Sequence, residues 1–151
     1  MRDTYTRVLL ALTVFNFALV GVWAALAPKS FYDDFPGGGH HWVSVNGPYN
    51  EHLVRDVGTL NLALAAIALA ALVRPVLYLV QVLAGAALVN AAPHFLYHLF
   101  HLDVFSTTDK VAQTTSLAVT VIVPALLLLH AWRAPQRPNV STPQDGSPAW
   151  R

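Results

Sequence analysis

The chain has 151 residues, 55% of them hydrophobic and only 11% Asp, Glu, Lys or Arg, with a mean hydropathy of +0.47. That is more apolar surface than a soluble core of this size can hide, so the solvent it fits is lipid. A formal net charge of +1 without a basic stripe excludes nucleic acid as a partner, and the absence of cysteine removes disulfides, thiolate ligands and cysteine nucleophiles together.

Residues 8–27 form an apolar run whose only clearly polar members are Thr13 and Asn16. Its length suits a hydrocarbon core of roughly 30 Å, and it reads as helix one. A cleaved signal peptide is the rival reading, because Arg2 and Arg7 precede the run and Ala25-Leu26-Ala27 imitates a cleavage site. Against it, the run exceeds the about 7–15 residues of an h-region, and Pro28 would obstruct cleavage. Residues 28–50 change to Pro, Gly, Asp, His and aromatics, with Gly37-Gly38-Gly39 forcing irregular backbone. This is a long loop, and Phe31, Tyr32, Phe35, Trp42 and Tyr49 argue that it is structured and folds back over the bundle at the membrane interface.

Helix two spans residues 52–72, with Asn50 as its cap and Glu51 complementing the helix dipole. Val73-Arg74-Pro75 is a tight turn into helix three, residues 76–100, and residues 101–108 lead to helix four, residues 109–132. The tail, residues 133–151, is rich in proline and poor in apolar residues, which predicts a disordered cytoplasmic tail after a transmembrane domain over residues 1–132. Arg2, Arg7, Arg74, Arg133 and Arg137 gather on one side, whereas Lys29 and Lys110 lie on the other with Arg55 just inside helix two. The positive-inside rule then puts both termini in the cytoplasm. The fold class is all-α: an integral membrane up-down four-helix bundle with a long structured extracytoplasmic loop between helices one and two.

This topology brings the start of helix two, the end of helix three and the start of helix four to one outer edge. His40 and His41 of the loop join Glu51, His52, Arg55 and Asp56 there, together with His94, His98, His101, Asp103, Asp109 and Gln113. Of the seven histidines only His130 lies at the other end. Asn90, His94, His98 and His101 recur at i, i+4, i+8 and i+11, one stripe on a helix face; His52, Arg55, Asp56 and Thr59 form a second stripe. Ionisable residues in a span cost about 2.5–3.5 kcal/mol at its centre on insertion scales, so both stripes are expected to face the interior and each other. Arg55 should compensate charge with Glu51 or Asp56. Deeper, Asn16, Asn61, Asn90 and Thr120 each fall near the middle of their own helix. They form either a hydrogen-bonded ring that associates the helices or the polar floor of an outward-opening cavity.

Several chemistries fit this list. His94, His98 and His101, completed by His52, Asp56 or the His40-His41 pair, have a helical chelating spacing suited to a divalent metal such as zinc, copper or iron. An acid–base role would use His94 or His52 with Asp56 or Glu51 orienting it, although no nucleophile elbow, phosphate loop or dinucleotide fingerprint is present. A ligand pocket of His52, Arg55, Asp56, Asn61, Asn90 and Asn16 would take a small lipophilic molecule from the outer leaflet. The remaining class is a non-catalytic accessory subunit of a larger membrane complex, or a homo-oligomer, whose alanine-rich helix two and Gly85-Ala86-Ala87 allow close helix packing.

Pro28 followed by a loop, then Glu51, Arg55 and Gly58 opening an alanine-rich helix, resembles the layout of DoxX-like small four-helix membrane proteins over roughly residues 8–132. The resemblance implies an up-down bundle and a link to membrane redox complexes. The histidine-rich loop and the H-x-x-x-H-x-x-H stripe depart from that pattern.

Overall fold

The computed structural model describes residues 3–134. It is all-helical, with four helices long and apolar enough to cross a membrane: α1 (Thr4–Leu26), α3 (Glu51–Val73), α4 (Leu77–Leu99) and α5 (Thr107–Arg133). The predicted disordered tail falls almost wholly outside the described residues. Three of the four helices start at a side-chain cap, because the first N–H groups of a helix have no partner within it. Asp3 accepts from Thr6 N at 2.9 Å, Asn50 from Leu53 N at 3.1 Å and Ser106 from Asp109 N at 3.1 Å. The Asp3 cap is why α1 begins before the apolar run does.

The long connection is less irregular than its composition predicts. Residues 28–34 form a short helix, α2 (Pro28–Asp34), with Pro at its start, where a missing N–H costs nothing. The i,i+4 pairs Lys29–Asp33 and Ser30–Asp34 brace it, and Phe31 is buried beneath it. A two-stranded antiparallel hairpin follows, β1 (Pro36–Gly37) with β2 (His40–His41). Its turn is Gly37-Gly38-Gly39, all at positive φ, a conformation that glycine adopts without steric penalty. A single 3-10 turn at Ser44–Asn46 leads towards α3.

The helices pair unequally. The most extensive contacts join α1 to α3 and α4 to α5, whereas α1–α5 and α3–α4 meet more lightly. Close approach explains the first pair: a Cβ on Gly58 would lie 2.8 Å from Ala24 C, and one on Gly21 2.9 Å from Leu62 N. Small residues let helix backbones come together in this way. At the end that holds the termini and the α3–α4 turn, all four helices share one core of Leu9, Leu10, Ala68, Ala71, Val80, Leu83, Ala84, Leu127 and Ala131. At the loop end the core is Ala24, Phe31 and Val54 with Trp23, Tyr32, Phe35, Val43 and Tyr49 around them, contributed by α1, α2, α3 and the loop without α4 or α5. The bundle is therefore a four-helix core below and two helix pairs above. Only 17% of the apolar window of α5 is buried within the chain, and Phe15, Leu60, Tyr78 and Val89 are all exposed. Such surfaces belong against lipid or another membrane protein.

Candidate functional site

The loop-end polar residues separate into local groups rather than one cluster. On α3, Arg55 Nε donates to Glu51 Oε1 at 2.8 Å, and its guanidinium also donates to the carbonyl of Ala25. That carbonyl lies at the end of α1, where carbonyls lack helical partners and the dipole favours a cation. The E-x-x-x-R-x-x-G run is thus a clamp: Glu51 orients Arg55, Arg55 caps α1, and Gly58 lets the two backbones touch. Among the described residues His52 pairs only with Asp56, at 3.4 Å, and its side chain is 88% exposed. Thr59 and Asn61 bond to their own helix through the carbonyls of Asp56 and Val57. The stripe of His52, Asp56 and Thr59 does not meet the stripe on α4, because α3 turns its packing face, with Val54, Gly58 and Ala65, towards α1.

The loop histidines act as fasteners. Asp109 Oδ1 accepts from His40 Nδ1 at 2.6 Å and from Trp42 Nε1 at 2.8 Å, while Oδ2 accepts from Ser106 Oγ at 2.7 Å. One carboxylate thereby ties the hairpin to the first turn of α5. His41 Nδ1 donates to the carbonyl of Asp33, which closes the hairpin onto α2. His101 Nδ1 donates to Tyr97 O at 2.7 Å, and its ring stacks on Tyr97 with centroids 4.2 Å apart. A carbonyl only accepts, so in His41 and His101 Nδ1 carries the hydrogen. His40, His41, His52 and His101 are each engaged by a separate partner, and the four do not converge on one centre.

His94 and His98 remain, one turn apart on α4, with ring centroids 4.6 Å apart and the planes at 74°. Gln113 of α5 stands beside His98 and is 2% exposed. His98 Nδ1 and Gln113 Oε1 are both buried with no hydrogen-bond partner. Asn90 continues the same stripe and is exposed. Asp109 and Gln113 are i and i+4 on α5, so the knot that holds the loop sits one turn, about 6 Å of rise, from Gln113. Among the described residues no group of three or more His, Asp or Glu side chains converges as a metal site would require. The predicted ligand set His94, His98, His101, His52, His40 and His41 is reduced here to two histidines and an amide.

The mid-depth ring does not form either. Asn16 and Thr120 share a cleft between α1 and α5, floored by Ala87 of α4, whereas Asn61 is spent on its own backbone and Asn90 is exposed on the outer surface of α4. Sequence reasoning missed Ser116 and the wall it builds. The signal was the recurrence of Gln113, Ser116, Thr120 and Pro124 at i, i+3, i+7 and i+11, a single face of α5.

No protein-family model, no curated protein and no solved structure matches the chain.

Proposed function

We propose that the protein is a multi-pass membrane protein with both termini cytoplasmic, which binds a small lipophilic ligand at the extracytoplasmic end of the α4–α5 pair. One observation carries this reading: among the described residues the buried His98 Nδ1 and the buried Gln113 Oε1 each lack a hydrogen bond of normal geometry, on side chains that stand beside each other. A buried unpaired group costs about 1–3 kcal/mol, and a bilayer offers no water to relieve it. A ligand that donates a hydrogen to the Gln113 carbonyl and presents a second polar atom to His98 removes both penalties at once. His94 and Asn90 extend this polar face along α4. The Asp109 knot holds the loop hairpin to the same end of α5. Orientation follows from Arg7, Arg74 and Arg133 at one end against Lys29 and Lys110 at the other. A tightly held zinc, copper or iron is less favoured, since structural and catalytic zinc sites take three or four protein ligands and this one offers two imidazoles and an amide.

Native mass spectrometry of protein purified without a histidine tag tests this reading. Wild type should carry a discrete small-molecule adduct that is lost in both His98→Ala and Gln113→Leu. Identical adduct profiles in all three proteins would overturn it. So would a stoichiometric metal that disappears in His98→Ala.

A second reading, an accessory subunit of a larger membrane complex or a homo-oligomer, is favoured by α4. A Cβ on Gly85 would meet nothing within 4 Å, and Val89 one turn on is 77% exposed. This small-residue face is free to receive a helix from another chain. The likeness to DoxX-like proteins rests on the span layout and on Glu51, Arg55 and Gly58, and it agrees with either reading.

A further inference from the structure

The cleft between α1 and α5 has a volume of about 290 Å³, near the lower end of the range for small-molecule sites. It lies at the middle of both spans, where its lining includes Thr13, Asn16 and Phe17 of α1, Ala87 of α4, and Ser116 and Thr120 of α5. The flanking Leu12, Phe15 and Val119 are exposed on the outer surface, so the cleft is open to the hydrocarbon. Its polar groups are of one kind. Thr13 Oγ1 donates to Leu9 O at 2.8 Å, Ser116 Oγ to Gln113 O at 3.0 Å and Thr120 Oγ1 to Leu117 O at 2.7 Å. Each hydroxyl has spent its hydrogen on its own helix and keeps oxygen lone pairs to accept with. Asn16 differs: Asn61 bonds its amide to Val57 O, but the Asn16 side chain makes no hydrogen bond among the described residues. A half-buried carboxamide is thus left unpaired at mid-membrane depth.

We propose that this cleft binds a neutral, hydroxyl-bearing lipophile drawn laterally from the bilayer, with its hydroxyl between Asn16 and Thr120. The chemistry selects that group. The walls supply three hydroxyl oxygens and the Asn16 carbonyl as acceptors, and only the Asn16 amide as a donor. A ligand hydroxyl donates to an acceptor oxygen and accepts from the amide, satisfying both sides. A bare carbonyl or ether uses the amide alone. A carboxylate finds no cation in the lining and would bury its charge in hydrocarbon. The proposal is independent of the His98–Gln113 site, which lies towards the loop end of α4.

Protein in phosphatidylcholine nanodiscs is labelled with a diazirine-bearing long-chain alcohol, and the labelled peptides are mapped by mass spectrometry. Label should concentrate on residues 12–17 and 116–124. Unlabelled 1-dodecanol should displace it, and the methyl ether and dodecanoate should do so poorly. Asn16→Leu and Thr120→Val should each weaken displacement by about fivefold, the loss of one neutral hydrogen bond, while Thr120→Ser retains it. Thr120→Val is nearly isosteric and decides the matter if Asn16→Leu does not fold. His98→Ala should leave this labelling unchanged whatever happens to the other site. Label spread evenly over the lipid-facing helices, or displaced equally by the ether, would overturn the proposal. So would an Asn16→Cys protein that forms a disulfide-linked dimer, since the amide would then face a second copy.

Discussion

Individual residues at the two ends of the bundle have different tasks. At the terminal end, Asp3 caps α1, and its carboxyl is held at about 2, chiefly by the backbone N–H of Thr6 and further by the Thr6 hydroxyl and His130, against an opposing desolvation. The folded value lies below the ordinary 3.8, so the cap's contribution is complete above pH 3.8 and is lost as pH falls through about 2. Loss of an N-cap costs about 0.5–2 kcal/mol, and solvent screening of this partly exposed carboxylate sets the low end of that range. Asp3→Ala should therefore lower the melting temperature of the detergent-solubilised protein slightly at pH 7, with most of that difference gone by pH 2. A deficit that persisted unchanged at pH 2 would mean that Asp3 acts through something other than its charge. At the loop end the single carboxylate of Asp109 receives His40, Trp42 and Ser106. No sequence pattern announces that meeting, because it joins residues 69 positions apart.

At the scale of the elements, what could be read in advance was whatever depends on periodicity and length. The four spans follow from apolar runs interrupted by Pro, Gly and Arg. The α4 stripe followed from spacing, and His94 and His98 do stand together. The face of α3 was not legible, since a helix with His52, Asp56 and Thr59 on one side and Gly58 and Ala65 on another is amphipathic in two senses. Small-residue packing against α1 decided between them. The short α2 was hidden by composition, although Pro28 at its start and the i,i+4 pairs that follow are ordinary helix signals. The α1–α3 contact also makes a sharp prediction. Gly58→Leu must push apart the α1 and α3 backbones, which meet at Ala24 and Ala25. The overpacking should cost about 1–3 kcal/mol and break the Arg55–Ala25 bond. Thermal melts in detergent should show a drop of several degrees, whereas Gly85→Leu, which enters open space, should change little. Equal losses from the two substitutions would contradict the pairing described here.

For the whole molecule, the bundle joins a closed core at the terminal end to two separate helix pairs at the loop end, and this accounts for where the unpaired polar groups lie. They sit where the four-helix core stops: His98 and Gln113 within the upper α4–α5 pair, Asn16 beside the α1–α5 cleft. Composition and span order led to the architecture. The division into pairs did not follow from them, because it depends on how closely two glycines of α1 and α3 allow their backbones to approach. Both proposed sites require the chain to cross the bilayer four times, and the His98–Gln113 site also requires the histidine-rich end to lie outside. Since the chain has no cysteine, single cysteines placed at exposed positions report that arrangement cleanly. Thr4, Val45, Val76, Val104 and Trp132 sample both ends of every span. In intact cells a membrane-impermeant maleimide should label Val45→Cys and Val104→Cys at once, and Thr4→Cys, Val76→Cys and Trp132→Cys only after permeabilisation. Labelling of Val76→Cys together with Val45→Cys before permeabilisation would put the α3–α4 turn on the same side as the loop and contradict the account.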